Sequence, residues 1–204
     1  MAENDILRET EPQADPLYTP ENKSQSFRLV WIYGWLQPLI FALAVLIFAT
    51  TFFGRIIGVD GSSMFPTLHD HDMLVLQHLG YKPAQGDIVV LTQRSFSDQP
   101  IVKRVIATGG QTVDVDYDAN TVTVTGRDGV RTVLDEPYLG EPMRRPALLS
   151  NAHIEVPEGS ICVLGDNRNN STDSRSPSVG TVDERCVLGR AVMILLPFQR
   201  LRVL

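Results

Sequence analysis

The feature that most constrains this chain is a stretch without charge. Between Arg28 and Arg55 there is no Asp, Glu, Lys or Arg, and Leu36 to Phe53 is almost wholly apolar. A helix that spans a bilayer needs about 20 such residues at 1.5 Å rise each. Trp31, Tyr33 and Trp35 gather at the leading end, where amphipathic rings favour the headgroup layer. Gln37 and Pro38 interrupt only the early part of the run, read here as a first turn, where a proline costs little. A cleavable secretory signal opens with a short basic segment, whereas here a long, net acidic tail precedes the run. The reading is a retained transmembrane anchor over residues 29–55. Residues 1–28, rich in Glu, Asp, Pro, Gln and Ser, have the composition of a disordered tail. Lys23 and Arg28 before the run against Arg55 after it give only a slight positive-inside bias, so charge alone does not orient it.

Beyond the run the pattern changes period. Asp87 to Leu91 reads as a buried strand after a turn at Gly86, and Val113 to Tyr117 and Thr121 to Thr125 alternate apolar and polar. Turn residues Asp118-Ala119-Asn120 separate that pair, and Gly126 to Gly129 lead into another strand at Val130 to Leu134. Ala191 to Phe198 is apolar but far too short to cross a bilayer, so it reads as a final strand. No long 3.6-residue periodicity follows the anchor. Residues 56–204 are therefore expected to form one mostly β domain, and a chain begun near Gly58 is expected to fold. The stretch Asp135 to Ala152, with Pro137, Pro142 and Pro146, reads as a mobile loop. A net charge of -6 leaves no basic stripe for nucleic acid.

Three segments carry chemistry: Gly61-Ser62-Ser63-Met64-Phe65-Pro66-Thr67-Leu68, Ile101-Val102-Lys103-Arg104-Val105-Ile106, and the run from Gly165-Asp166-Asn167-Arg168 to Ser171-Thr172-Asp173-Ser174-Arg175. A serine hydroxyl is a poor nucleophile without an adjacent base. His69, His71 and His78 follow Ser63, so a Ser-His-Asp arrangement has to be weighed, but no Gly-x-Ser-x-Gly elbow is present. The run His69-Asp70-His71-Asp72 reads as a polar loop; alternating His and Asp can ligate zinc, yet no cysteine stands nearby to close a ligand set. Lys103 lies among Ile101, Val102, Val105 and Ile106, a stretch of chain that belongs in a core, although Val-Lys-Arg-Val taken alone suits a lysine on an exposed strand face paired with a carboxylate. Burial disfavours an ammonium and lowers its pKa, and a neutral amine can then take the proton from a serine.

In these segments, their order and the upstream apolar run, the chain resembles the type I (bacterial leader) signal peptidases, over nearly everything after Arg28. The resemblance implies a signal-peptidase/LexA-like β-fold catalytic domain with one N-terminal transmembrane helix. It implies Ser63 as nucleophile and Lys103 as general base, with Ser171 orienting the lysine. Arg104, Asp166, Arg168, Asp173 and Arg175 would brace the site through ion pairs and turn contacts, Arg104 pairing with Asp166. Some relatives carry a serine two residues before the nucleophile as an oxyanion donor. Here that position is Gly61, which leaves the Ser63 backbone N–H and other donors, and gives the chain a Gram-positive-like aspect.

The implied reaction is removal of signal peptides from exported preproteins after small residues at -1 and -3. The implied setting is a cell membrane crossed once, with the catalytic domain on the extracytoplasmic face. Partners are then signal peptides and the lipid bilayer, and no metal or organic cofactor is called for. The substrate is expected to add as an extended strand beside Ser63 and Ile101–Ile106. Met64 and Phe65 fit either lipid or the core. Cys162 and Cys186 are the only cysteines, and either a disulfide or two buried thiols suits them. Two other readings stand beside this one. One is a LexA-type Ser/Lys autoprotease, which calls for a DNA-binding helix-turn-helix in place of the apolar run. The other is a non-catalytic, membrane-tethered peptide-binding module.

Overall fold

The computed structural model describes residues 20–52, 55–92, 99–146 and 150–204. The chain divides into two units, Met1–Phe48 and Ala49–Leu204. The first is built on one helix, α1 (Pro20–Phe52). It starts well inside the segment read as disordered tail; residues 1–19 lie outside the described residues. A proline suits a first helical position, because its missing N–H has no partner there anyway. The early start also corrects the account of Pro38, which falls in the helix interior. There it removes one backbone hydrogen bond and sets its ring against the carbonyl four residues back. Side chains from Tyr33 to Phe48 are exposed throughout, Phe41 at 71% and Leu39 at 64%. Among the described residues no helix is long and apolar enough to cross a membrane. The continuous run Tyr33–Phe48 would rise about 24 Å at 1.5 Å per residue, against roughly 30 Å of hydrocarbon.

The second unit is mostly β, as the alternation implied. Its strands are β1 (Arg55–Gly58), β2 (Met73–Gln77), β3 (Ile88–Leu91), β4 (Ile101–Thr108), β5 (Thr112–Asp116) and β6 (Thr121–Thr125). They continue as β7 (Arg131–Val133), β8 (His153–Glu155), β9 (Ser160–Leu164), β10 (Val182–Asp183), β11 (Val187–Leu196) and β12 (Arg202–Val203). A large antiparallel sheet runs β1-β2-β11-β3-β4-β9-β10, with β12 beside β11, and a smaller one runs β7-β6-β5-β8. The final strand suspected at Ala191 is the second half of β11.

Burial follows the strand period. In β5 and β6 the valines Val113, Val115, Val122 and Val124 turn inward and pack with Ile106, Cys162 and Leu164 of the large sheet. β3 is buried at every position, with Ile88 and Val90 in one apolar cluster and Val89 and Leu91 in another. This is how a central strand covered on both faces should read. The pairing of β4 with β9 is irregular between Val105 and Ala107, a local kink of the kind a bulge introduces. Cys162 and Cys186 are free thiols and pack into different clusters; burial pushes the Cys162 thiol up to about 12.

β1 pairs with β2 from Arg55↔Leu76 to Gly58↔Met73, so a chain begun at Gly58 lacks an edge strand of the large sheet. A chain begun at Arg55 is expected to melt in one cooperative step. One begun at Val59 is expected to melt lower and to associate through the bared edge of β2, which calorimetry and light scattering will distinguish.

Candidate active site

Residues 59–68 form a looped segment held down by its apolar members. Val59, Met64 and Leu68 are buried with Leu74, Leu76, Val90, Val102 and Ile194, so Met64 belongs to the core. Phe65 remains 47% exposed and packs edge-on against His69, ring centroids 5.0 Å apart. The Val59 N–H donates to the Asp72 carbonyl at 2.8 Å, and the His71 N–H to the Val59 carbonyl at 2.9 Å. Gly61 has φ 89°, the left-handed region that glycine occupies without strain, and its N–H donates to Asp70 Oδ1 at 2.9 Å. A serine at that place would be strained, which gives the glycine a local reason. Ser63 stands on the segment between Gly61 and Met64.

Lys103 lies in β4, opposite Val89 of β3, and is only 4% exposed. Its Nζ donates to Ser63 Oγ at 2.7 Å and to the Val102 carbonyl at 3.0 Å. Burial lowers the lysine pKa to about 8, opposed by the negative charges of Asp173 and Asp166. β3 pairs with Ile101 to Arg104, while β9 pairs only from Arg104 to Thr108. On the β9 side Ile101–Lys103 therefore has no strand partner among the described residues.

The third segment wraps this pair in buried ions. Arg104 Nε and Nη2 donate to the two oxygens of Asp166 at 2.8 and 2.6 Å, and Thr67 Oγ1 donates to Asp166 Oδ2 at 2.5 Å. The Arg104 guanidinium also lies 3.9 Å over the ring of Tyr138. Arg175 meets both oxygens of Asp173 at 2.9 Å, and Asp173 Oδ2 accepts the Gly165 N–H at 3.0 Å. Arg168 reaches Glu136 through Nη1 at 3.0 Å and Nη2 at 2.5 Å, and donates from Nε to the Gly165 carbonyl at 3.1 Å. Gly165 has no room for a side chain, since a Cβ would collide with Ser171 and the Ser63 carbonyl. Ser171 thus lies beside the pair, but its buried Oγ has no hydrogen-bond partner among the described residues. The lysine bonds go to Ser63 and Val102 instead.

Several residues of this cluster escaped the sequence. Glu136, Tyr138 and Met143 belong to the proline-rich stretch read as a mobile loop. The described part of that stretch is tied down: Tyr138 OH donates to Glu136 Oε1 at 2.7 Å, and Met143 is buried against Arg168. Asn167 and Asn170, assigned no role from the sequence, both hold the Ser62–Ser63 segment. The histidines, in contrast, are occupied elsewhere. His78 Nδ1 bonds the Leu188 carbonyl, exposed His71 meets Asp70, and His153 meets Asp114. None of the four is bonded to Ser63. Among the described residues no group of three His, Cys, Asp or Glu side chains is placed to hold a metal ion.

On a β domain braced by internal ion pairs, the structure thus sets a serine hydroxyl against a buried amine, a pair in which the amine can accept the hydroxyl proton. The family model described as "Signal peptidase, peptidase S26" matches residues 32–196. The chain belongs to this family. It is 30% identical to signal peptidase I of Bacillus licheniformis over 181 residues, covering 84% of this chain and 92% of that protein. It is 36% identical to the probable signal peptidase I-1 of Synechocystis over 178 residues, covering 80% and 82%. A crystal structure of a signal peptidase I from Enterococcus faecalis aligns with 54% of this chain and 97% of that one, at 31% identity and a TM-score of 0.43.

Proposed function

We propose that this protein is a membrane-anchored serine endopeptidase that removes signal peptides from exported preproteins, with Ser63 as nucleophile and Lys103 as general base. The observation that carries the reading is the 2.7 Å contact between Lys103 Nζ and Ser63 Oγ, inside the reach a general base needs. The neutral amine takes the Ser63 proton as Oγ attacks the scissile carbonyl, and the resulting ammonium gives that proton to the departing amine. Water then enters against the same amine and frees the acyl group. The unpartnered edge of Ile101–Lys103 suits an extended peptide added as a strand. In this reading the side chains seated beside that edge at -1 and -3 are small.

The anchor is α1. Its exposed leucines, isoleucines and phenylalanines are apolar on every side, and a helix apolar all round belongs in a protein core or a membrane. The reading places the catalytic domain on the extracytoplasmic face, where cleavage sites emerge.

The test uses the full chain in detergent with a preprotein bearing an Ala-x-Ala site, the new N-terminus being sequenced. Cleavage after the second alanine, absent in Ser63→Ala, is the expected result; intact, folded wild type that leaves the preprotein whole sinks the reading. The pH profile follows from Lys103. With a pKa of about 8, about a tenth of the amine is neutral at pH 7. Between pH 6 and 7.5 kcat/KM is expected to rise roughly tenfold per unit, then level off above 8. A midpoint near 6.5 would instead point to a histidine.

A further inference from the structure

We infer that Asn167 is a positioning residue that aims the Ser63 backbone N–H at the carbonyl oxygen of the bound peptide, by holding the Ser62 carbonyl of the same peptide unit. The inference rests on the peptidase reading and deepens it. Asn167 Nδ2 donates to the Ser62 carbonyl at 3.1 Å, and the Asn167 main-chain N–H donates to the Ser63 carbonyl at 2.9 Å. The Ser62 carbonyl also accepts the Phe65 N–H at 3.1 Å, so both of its lone pairs are engaged. The side-chain nitrogen of Asn167 must face that oxygen, because a carbonyl only accepts.

A peptide unit is planar and its N–H points opposite to its C=O. Fixing the Ser62 carbonyl from two sides therefore fixes the direction of the Ser63 N–H. That N–H makes no hydrogen bond among the described residues, so it remains available as a donor for developing negative charge. Gly61 contributes no hydroxyl, which leaves more of the oxyanion to this single backbone group. Asn170 Nδ2 donates to Ser62 Oγ at 2.8 Å and steadies the side chain, but not the peptide plane.

The experiment compares Asn167→Asp with Asn170→Ala in the full chain. The aspartate side chain has the size of asparagine and leaves the main-chain N–H in place, but presents oxygen to the Ser62 carbonyl. Removing an oxyanion donor outright lowers kcat by about 10²–10³; a misdirected donor is expected to lower it about 10- to 100-fold. KM should stay within about twofold, and kcat is compared on the high-pH plateau, because the added carboxylate raises the Lys103 pKa as Asp166 and Asp173 do. A peptide aldehyde adds a further readout. Ser63 Oγ bonds to its carbon, the serine proton passes to Lys103, and the carbonyl π pair becomes the oxyanion. Its affinity should fall by the same factor as kcat, while that of the cleaved product peptide holds. Asn170→Ala should cost less than about threefold, so equal losses in both variants would mean general loosening of the loop and overturn the inference. If Asn167→Asp melts early, Asn167→Ser, neutral and too short to reach, carries the same comparison. Wild type that cleaves while Ser63→Ala does not secures the peptidase reading separately. Against that background, a change of twofold or less in kcat overturns the role of Asn167 alone.

Discussion

Replacing Lys103 with methionine is expected to abolish cleavage and, at the same time, to stabilise the protein near neutral pH. Loss of a base that works as a unit with its nucleophile costs about 10⁴-fold or more in kcat. The stability gain has the opposite origin. Lys103 has a pKa of about 8 in the fold, against an ordinary 10.5, a difference of about 3 kcal/mol at 1.36 kcal/mol per unit. Below pH 8 the lysine is charged in both folded and unfolded chains, and the fold carries the full cost of a buried ammonium. Between 8 and 10.5 the folded chain holds a neutral amine while the unfolded chain still binds the proton, so stability rises with pH. Above 10.5 the penalty is gone. Methionine fills similar space without the charge, so its advantage should be largest at pH 6–7.5 and shrink by about 3 kcal/mol towards pH 10.5. Denaturant melts of both proteins across that range measure the difference directly. A constant difference would mean that the fold does not lower the pKa of this amine, and cleavage surviving the change would remove Lys103 from the mechanism.

Replacing Arg168 with alanine is expected to destabilise the fold by about 3–5 kcal/mol, the usual result of orphaning one partner of a buried ion pair. The Arg168 and Glu136 side chains are 1% and 6% exposed, so the stranded carboxylate would have little water to turn to. The Gly165 carbonyl would lose its Arg168 Nε donor as well. At about 2–4 °C per kcal/mol for a chain of this size, the melting temperature should fall by roughly 10 °C. Glu136→Ala should behave similarly, since it strands the arginine. The double change Arg168→Met with Glu136→Leu should recover much of the loss, because two apolar side chains need no partners. A loss below about 1 kcal/mol in either single variant would show that the pair is not what fastens the 135–146 loop.

Both results turn on contacts of very different legibility. Lys103 could be read only from company: its flanks alone suit an exposed strand face as well, and the Ser63 and Gly165 motifs on either side turned the reading to burial. Ser63 came from its motif, and the Arg104–Asp166 pair from two motifs already quoted side by side. Glu136 could not be found in this way. It sits next to Pro137, in a stretch whose prolines and charges describe a solvated loop, and nothing local marks it as the counter-ion of an arginine 32 residues away. The start of α1 was missed for a related reason. Residues 20–28 are polar by composition, and composition reports how a segment meets water, not whether its backbone is helical.

By itself the sequence determined the β character of the domain, through period-two burial in β5 and β6, and the continuous burial of β3. It also brought together, through the resemblance its motifs carry, the serine and the lysine that the proposed chemistry uses. Only the tertiary structure decided which groups meet. Hydrogen bonds and ion pairs are satisfied across space, and a residue's neighbours in the chain do not specify its partners in the fold. That is why the geometry, and not the pattern, joined Glu136 to Arg168, and Asn167 to the peptide unit that carries the Ser63 N–H.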